Sequence, residues 1–217
     1  MTSSTQLRAW WDAWECDTTK YVRHEFPGDG RVWDLWVADA SENAWDRFTD
    51  LMVKHDYPFI SSAGGTYKCR NIGGTNVRSL HAYAIAVDLN PDVNKYKTPD
   101  HNYPQGFIDD VEAVETNNGK TVFTWGGRWS TAFIDTMHWQ IDCAPEDLTT
   151  GIKEEDMAIL SDEAQQFFED AYRKQKADLD PPTNPAYLRE VVKHLRDHPE
   201  SDMKPHSHGA ETTVGKS

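Results

Sequence analysis

The chain has 217 residues, 36 acidic against 22 basic for a formal charge of −14, and 12% of them are aromatic. That length suits one catalytic domain with an appendage and buries a core without disulfide staples. The acidic balance argues against nucleic acid or an anionic membrane as partner, and no apolar run is long enough for membrane insertion.

In chain order, Leu7, Trp10, Trp11 and Trp14 recur at helical spacing after a Ser/Thr cluster that can cap, and Phe26-Pro27-Gly28-Asp29-Gly30 breaks that helix. Val32 to Val37 reads equally as a short strand or a helical turn. Ser41 is a suitable N-cap for a second helix with Trp45, Phe48, Leu51 and Met52 on one face, stopping near Tyr57-Pro58 because the residue before proline leaves the helical region. Gly64-Gly65 and Gly73-Gly74 bracket a loop-rich stretch. Three strands are then expected, Ala84 to Leu89, Thr121 to Trp125 and Met137 to Asp142, with a helix from Gln105 to Glu115 between the first two. Beyond residue 150, Ser161 caps one amphipathic helix, and Asn184 with Pro185 starts another bearing Leu188, Val191, Val192 and Leu195. The expected organisation is an N-terminal helical part packed on the core (1–60), a catalytic core (61–150), accessory helices (151–198) and a disordered tail (199–217). The fold class is α+β, a small, mostly antiparallel sheet with packed helices and a C-terminal helical segment.

Cys16, Cys69 and Cys143 form no even-numbered framework and no C-x-x-C, so they read as thiols of a protein folded in a reducing cytosol, each a small buried hydrophobe. The first ten residues lack the basic and apolar segments of a signal peptide, which implies synthesis in the cytosol and delivery by another agent if the target lies outside.

The chemistry concentrates in Ser79-Leu80-His81-Ala82-Tyr83-Ala84-Ile85-Ala86-Val87-Asp88 and, fifty residues after Asp88, His138. Two imidazoles and one carboxylate with an open position make a catalytic zinc arrangement, and strands provide the fixed geometry it needs. Asp135, three residues before His138, can reach an attacking water without binding the metal, take its proton and pass it to the leaving amine. Spacing alone also allows each of these four to be an ordinary core or surface group. His194 and His198 sit four apart on an expected helix with no Glu after His194, so the zincin motif is absent; His206 and His208 fall in the polar tail.

Taken together, Ser79, His81, Ala86 and Asp88 followed by Asp135 and His138 resemble the zinc D-alanyl-D-alanine carboxypeptidases and their phage endolysin relatives, the L-alanyl-D-glutamate peptidases. Tyr67-Lys68-Cys69-Arg70, Asp88-Leu89-Asn90-Pro91 and the run Phe123 to Trp129 add matches to the endolysin branch, so the resemblance covers roughly residues 60 to 143. It implies a D-Ala-D-Ala peptidase or hedgehog-like fold, zinc held by His81, Asp88 and His138, and Asp135 as general base then acid. It also implies an arginine on the substrate carboxylate or the developing oxyanion, with Arg70 preferred to Arg78. Ser79 either orients substrate or bonds the loop backbone. Trp125, Trp129 and Trp139 are candidates for lining the cleft, with packing expected for at least two of them. Two departures stand out: Ala84 replaces a usual glycine, and Asp135 is one methylene shorter than the usual Glu.

The resemblance implies a peptidoglycan stem peptide as substrate, cut at D-Ala-D-Ala or L-Ala-D-Glu. It also implies a phage lytic enzyme made in the host cytosol and acting at the cell wall after release. The alternatives are a virion tail-associated protein that carries this peptidase to the wall, docking to tail proteins through its C-terminal region, and a wall-binding module that has lost catalysis.

Overall fold

The computed structural model describes residues 2–153. The expected helices near Ser161 and Asn184, the tail, and His194, His198, His206 and His208 lie outside those residues.

Helix α1 spans Ser4–Trp10, with the Ser3 hydroxyl accepting from the Gln6 amide at 3.2 Å. Two short 3-10 turns follow, and the chain then enters strand β1 (Tyr21–Pro27), antiparallel to β2 (Val32–Ala38) from Tyr21↔Ala38 to Pro27↔Val32. The open choice at Val32 is thereby settled as strand. Tyr21–Pro27 corrects the expectation of one helix running to the Phe26 break. Its state is decided by a partner strand across the Gly28–Arg31 turn, where Gly28 N–H donates to the Arg31 carbonyl at 2.9 Å. Helical periodicity near Leu7 carries no information about that pairing.

Helix α2 (Glu42–Lys54) buries Trp45, Phe48, Leu51 and Met52 as their spacing requires. Ser41 occupies the N-cap position, yet its hydroxyl bonds the Ala38 carbonyl at 2.7 Å and receives the Trp45 indole N–H at 3.1 Å, so it caps no helix amide. Helix α3 (Gln105–Glu112) ends one turn short of the expected Glu115 and packs on α2 through Phe107 against Phe48. The short α4 (Pro145–Leu148) closes the described fold.

A second sheet has three antiparallel strands in the order β3 (Ala86–Asp88), β5 (His138–Ile141), β4 (Phe123–Trp125). Register pairs Asp88 with His138, Val87 with Trp139 and Trp125 with Trp139. Successive side chains on a strand face opposite ways. Val87, Trp139, Ile141, Phe123 and Trp125 therefore enter the core, where Trp139 meets Phe48, Phe107, Tyr103 and Trp125. Asp88, His138 and Gln140 take the other face. Fully burying each large apolar side chain contributes about 1.5–3 kcal/mol, so this aromatic block anchors β3, β4 and β5 against the helices.

The structure overturns the reading of three free thiols. Cys16 and Cys69 are joined by a disulfide, with Cα atoms 5.3 Å apart and 53 residues between them in sequence. The backbone brings them together: Cys16 N–H donates to the Ala82 carbonyl at 2.7 Å and Lys68 N–H to the His81 carbonyl at 3.1 Å, so both cysteines flank the 3-10 turn Leu80–Tyr83. Only Cys143 is free; it is buried, and burial pushes its thiol up to about 12. Closing a loop of that length stabilises by roughly 2–4 kcal/mol through the unfolded state. Cys16→Ser, Cys69→Ser and the double variant are each expected to lose that amount in urea denaturation of oxidised protein. The same three should match the wild type once dithiothreitol is present.

Candidate active site

Local folding converges three side chains. Ser79 starts the 3-10 turn Leu80–Tyr83, its hydroxyl accepting from the His81 amide at 3.4 Å, and His81 is turned inward and buried. The turn ends at Ala84 with φ of 55°, a left-handed conformation that suits glycine and that the methyl group disfavours by about 1–2 kcal/mol. This is the physical sense of the glycine expected there; the alanine tolerates the same backbone, with its amide still on the His81 carbonyl at 3.2 Å. The chain then runs into β3, where Asp88 exchanges two backbone bonds with Gly65, at 3.0 and 3.1 Å. Gly64 makes that clamp possible, since a Cβ there would stand 2.3 Å from the Asp88 carbonyl oxygen. His138 lies directly across the sheet from Asp88.

The Asp88 Oδ1 atom is 3.1 Å from His81 Nε2 and 3.2 Å from His138 Nδ1. One ligand atom from each of the three residues lies within 4.8 Å of the others. Nitrogen and oxygen donors about 2.0–2.1 Å from a tetrahedral zinc are roughly 3.3 Å apart, so two imidazoles and a carboxylate at these separations fit that ion. Burial alone would raise the Asp88 carboxyl, but the two imidazoles overcome it and hold it well below the usual carboxylate range. His138 shows the reciprocal effect: burial opposes its charge, and the bond to Asp88 nevertheless raises it. The two imidazoles thus favour the ionised form of Asp88.

Asp135 closes the turn before β5, with the His138 amide donating to its carbonyl at 3.2 Å and its own amide donating to the Gly126 carbonyl at 3.1 Å. Gly126 allows this fold-back, because a Cβ there would sit 2.4 Å from the Asp135 carbonyl oxygen. The Asp135 Oδ1 atom is buried with no hydrogen-bond partner among the described residues. Burial raises its carboxyl, and nearby Asp88 adds to this, while His138, His81 and Arg70 oppose. A carboxylate with an uncommitted oxygen and a raised pKa is suited to carrying protons.

All of these groups line one open cleft of about 1110 Å³, together with Arg70 and Ser79. Arg70 is exposed on the segment that returns beside the turn, its carbonyl accepting from the Ser79 amide at 3.1 Å, and the Cys16–Cys69 bridge anchors its neighbour. Arg78 is not among the cleft residues: it pairs with Glu15 at 2.7 Å and bonds Asn71 at 3.0 Å. Trp125 and Trp139 are core residues stacked on each other, and Trp125 donates its indole N–H to the Thr136 carbonyl at 2.9 Å. The tryptophan that reaches the cleft is Trp129, its ring 5.2 Å from that of His138. Sequence reasoning did not single out Arg8, Tyr96, Lys97 or Phe133, which line the same cleft. Arg8 and Lys97 join Arg70 there, as does Arg128, whose charge is met by Glu112 at 2.7 Å; the acidic residues of the cleft among those described are Asp88 and Asp135.

Residues 73–141 match the family model described as D-alanyl-D-alanine carboxypeptidase. That segment, about a third of the chain, is similar to this peptidase family. The match spans Ser79, His81, Asp88, Asp135 and His138, and Arg70 lies just before it. No curated protein and no solved structure matches the chain significantly. The matched segment thus contains every donor of the three-residue cluster and the carboxylate beside it.

Proposed function

We propose that the chain is a zinc-dependent peptidase that hydrolyses an amide bond of the peptidoglycan stem peptide, at D-Ala-D-Ala or L-Ala-D-Glu, and serves as a phage lytic enzyme. The observation that carries this reading is the convergence of His81, Asp88 and His138 in a cleft of a carboxypeptidase-like segment. When bound by those three residues, zinc supplies Lewis acidity, polarising the scissile carbonyl and acidifying the attacking water. Asp135 takes the proton from that water on its uncommitted Oδ1 and returns it to the leaving amine. Arg70 holds a substrate carboxylate or the developing oxyanion, a task suited to a planar guanidinium. Arg8, Arg70 and Lys97 in the cleft favour a substrate that carries carboxylate groups. Ser79 acts chiefly by capping the turn that carries His81.

The endolysin-branch runs around the ligands support the lytic role, and the Cys16–Cys69 bridge fits work outside a reducing compartment. Among the described residues no helix is long and apolar enough to cross a membrane. Mass spectrometry of purified peptidoglycan after incubation with the zinc-loaded chain tests the reading and names the bond. A new stem fragment ending at D-Ala or beginning at D-Glu is expected; wall whose stems stay intact while zinc is bound excludes the proposed substrate.

A further inference from the structure

The two histidines of the cluster are oriented by acceptors of different kinds. His81 Nδ1 faces the Thr66 backbone carbonyl at 2.6 Å, which leaves Nε2 toward Asp88. His138 presents Nδ1 toward Asp88, and its Nε2 faces the Gln140 side-chain Oε1 at 3.2 Å. Strand periodicity accounts for the second contact, since residues two apart on β5 share a face. Gln140 is buried on that face, lines the cleft, and stands opposite Ala86 on β3, whose small side chain leaves it room.

A metal can bind Nδ1 of His138 only if the ring proton resides on Nε2, and a ring nitrogen that carries a proton needs an acceptor when buried. Resting on the metal site proposed above, we infer that Gln140 is a positioning residue for that site: its amide oxygen accepts from His138 Nε2–H and so fixes both the ring orientation and the nitrogen offered to zinc. Thr66 does the same for His81 through a backbone atom that no side-chain substitution removes. Gln140 is therefore the point at which the outer shell can be altered by a side-chain change. Outer-shell partners of metal-bound histidines typically contribute 10–100-fold in metal affinity.

Zinc affinity of the full-length metal-free chain, measured by competition with a chromophoric chelator, tests this without recourse to hydrolysis. Gln140→Leu and Gln140→Met keep the volume and delete the acceptor; either is expected to weaken zinc on the order of 10–100-fold, with thermal unfolding of the metal-free chain unchanged. Gln140→Glu restores an acceptor of the same reach and is expected to bind zinc at least as tightly as the wild type. A second readout is the ¹⁵N spectrum of the zinc-loaded wild type, where the His138 ring proton is expected on Nε2. Wild-type affinity in a folded Leu or Met variant overturns the inference, as does a Glu variant as weak as either. Failure of the wild type to bind zinc overturns the metal site itself, so the two failures are distinguishable.

Discussion

Asp135→Asn is expected to keep its zinc and lose turnover on the order of 10²-fold or more, the usual contribution of a positioned general base. The substitution is isosteric and leaves the backbone bonds to Gly126 and His138 in place, so the cleft keeps its shape. What disappears is the ability of Oδ1, buried and otherwise unpartnered among the described residues, to accept a proton. Asp135→Glu is the complementary variant. It preserves the carboxylate and extends it by one methylene, so hydrolysis within roughly tenfold of the wild type is expected if the role is proton carriage. Rates on a soluble stem peptide, with zinc content measured on the same samples, check both. Near-normal hydrolysis by a zinc-loaded Asn variant would falsify the assignment of Asp135.

Removing a ligand should act on the metal first. His81→Ala and His138→Ala are each expected to weaken zinc more than about 100-fold, beyond the 10–100-fold of an outer-shell change, and to abolish hydrolysis at ordinary zinc concentrations. Asp88→Asn should also weaken zinc, because a neutral amide replaces a carboxylate that the imidazoles keep ionised. It differs from Asp135→Asn in the readout that moves: zinc falls for Asp88, turnover alone for Asp135. Elemental analysis of purified variants separates them. Undiminished zinc in both histidine variants removes the basis of the proposed site.

The grouping of His81, Asp88 and His138 was legible through the resemblance of the ordered runs around them, because spacing alone left each open to an ordinary role; the fold brings one ligand atom of each within 4.8 Å of the others. His81 and Asp88 share one turn-and-strand unit, and His138 begins a recognisable strand. Helix α2 was legible because one face of it is buried and its periodicity says so, whereas β4 and β5 are buried throughout and were legible from their β-branched and aromatic residues. What escaped was non-local. Tyr21–Pro27 is a strand because of its partner across a turn, and Cys16 meets Cys69 because two separate backbone segments flank the same 3-10 turn. Arg8, Tyr96, Lys97 and Phe133 come to the cleft from α1 and from two loops. Trp125 and Trp139 show the limit of composition: strand alternation sends both to the core, and Trp129, just beyond β4, reaches the cleft instead.

Metal reconstitution of the full-length chain tests the role of zinc most directly. Zinc is stripped with a chelator, removed by gel filtration and added back in steps while hydrolysis of a soluble stem peptide is followed. Hydrolysis is expected to be absent from the stripped chain and to rise in proportion to bound zinc until one equivalent is reached. Hydrolysis that persists without metal, or one full equivalent of bound zinc with no hydrolysis of either stem bond, contradicts that role.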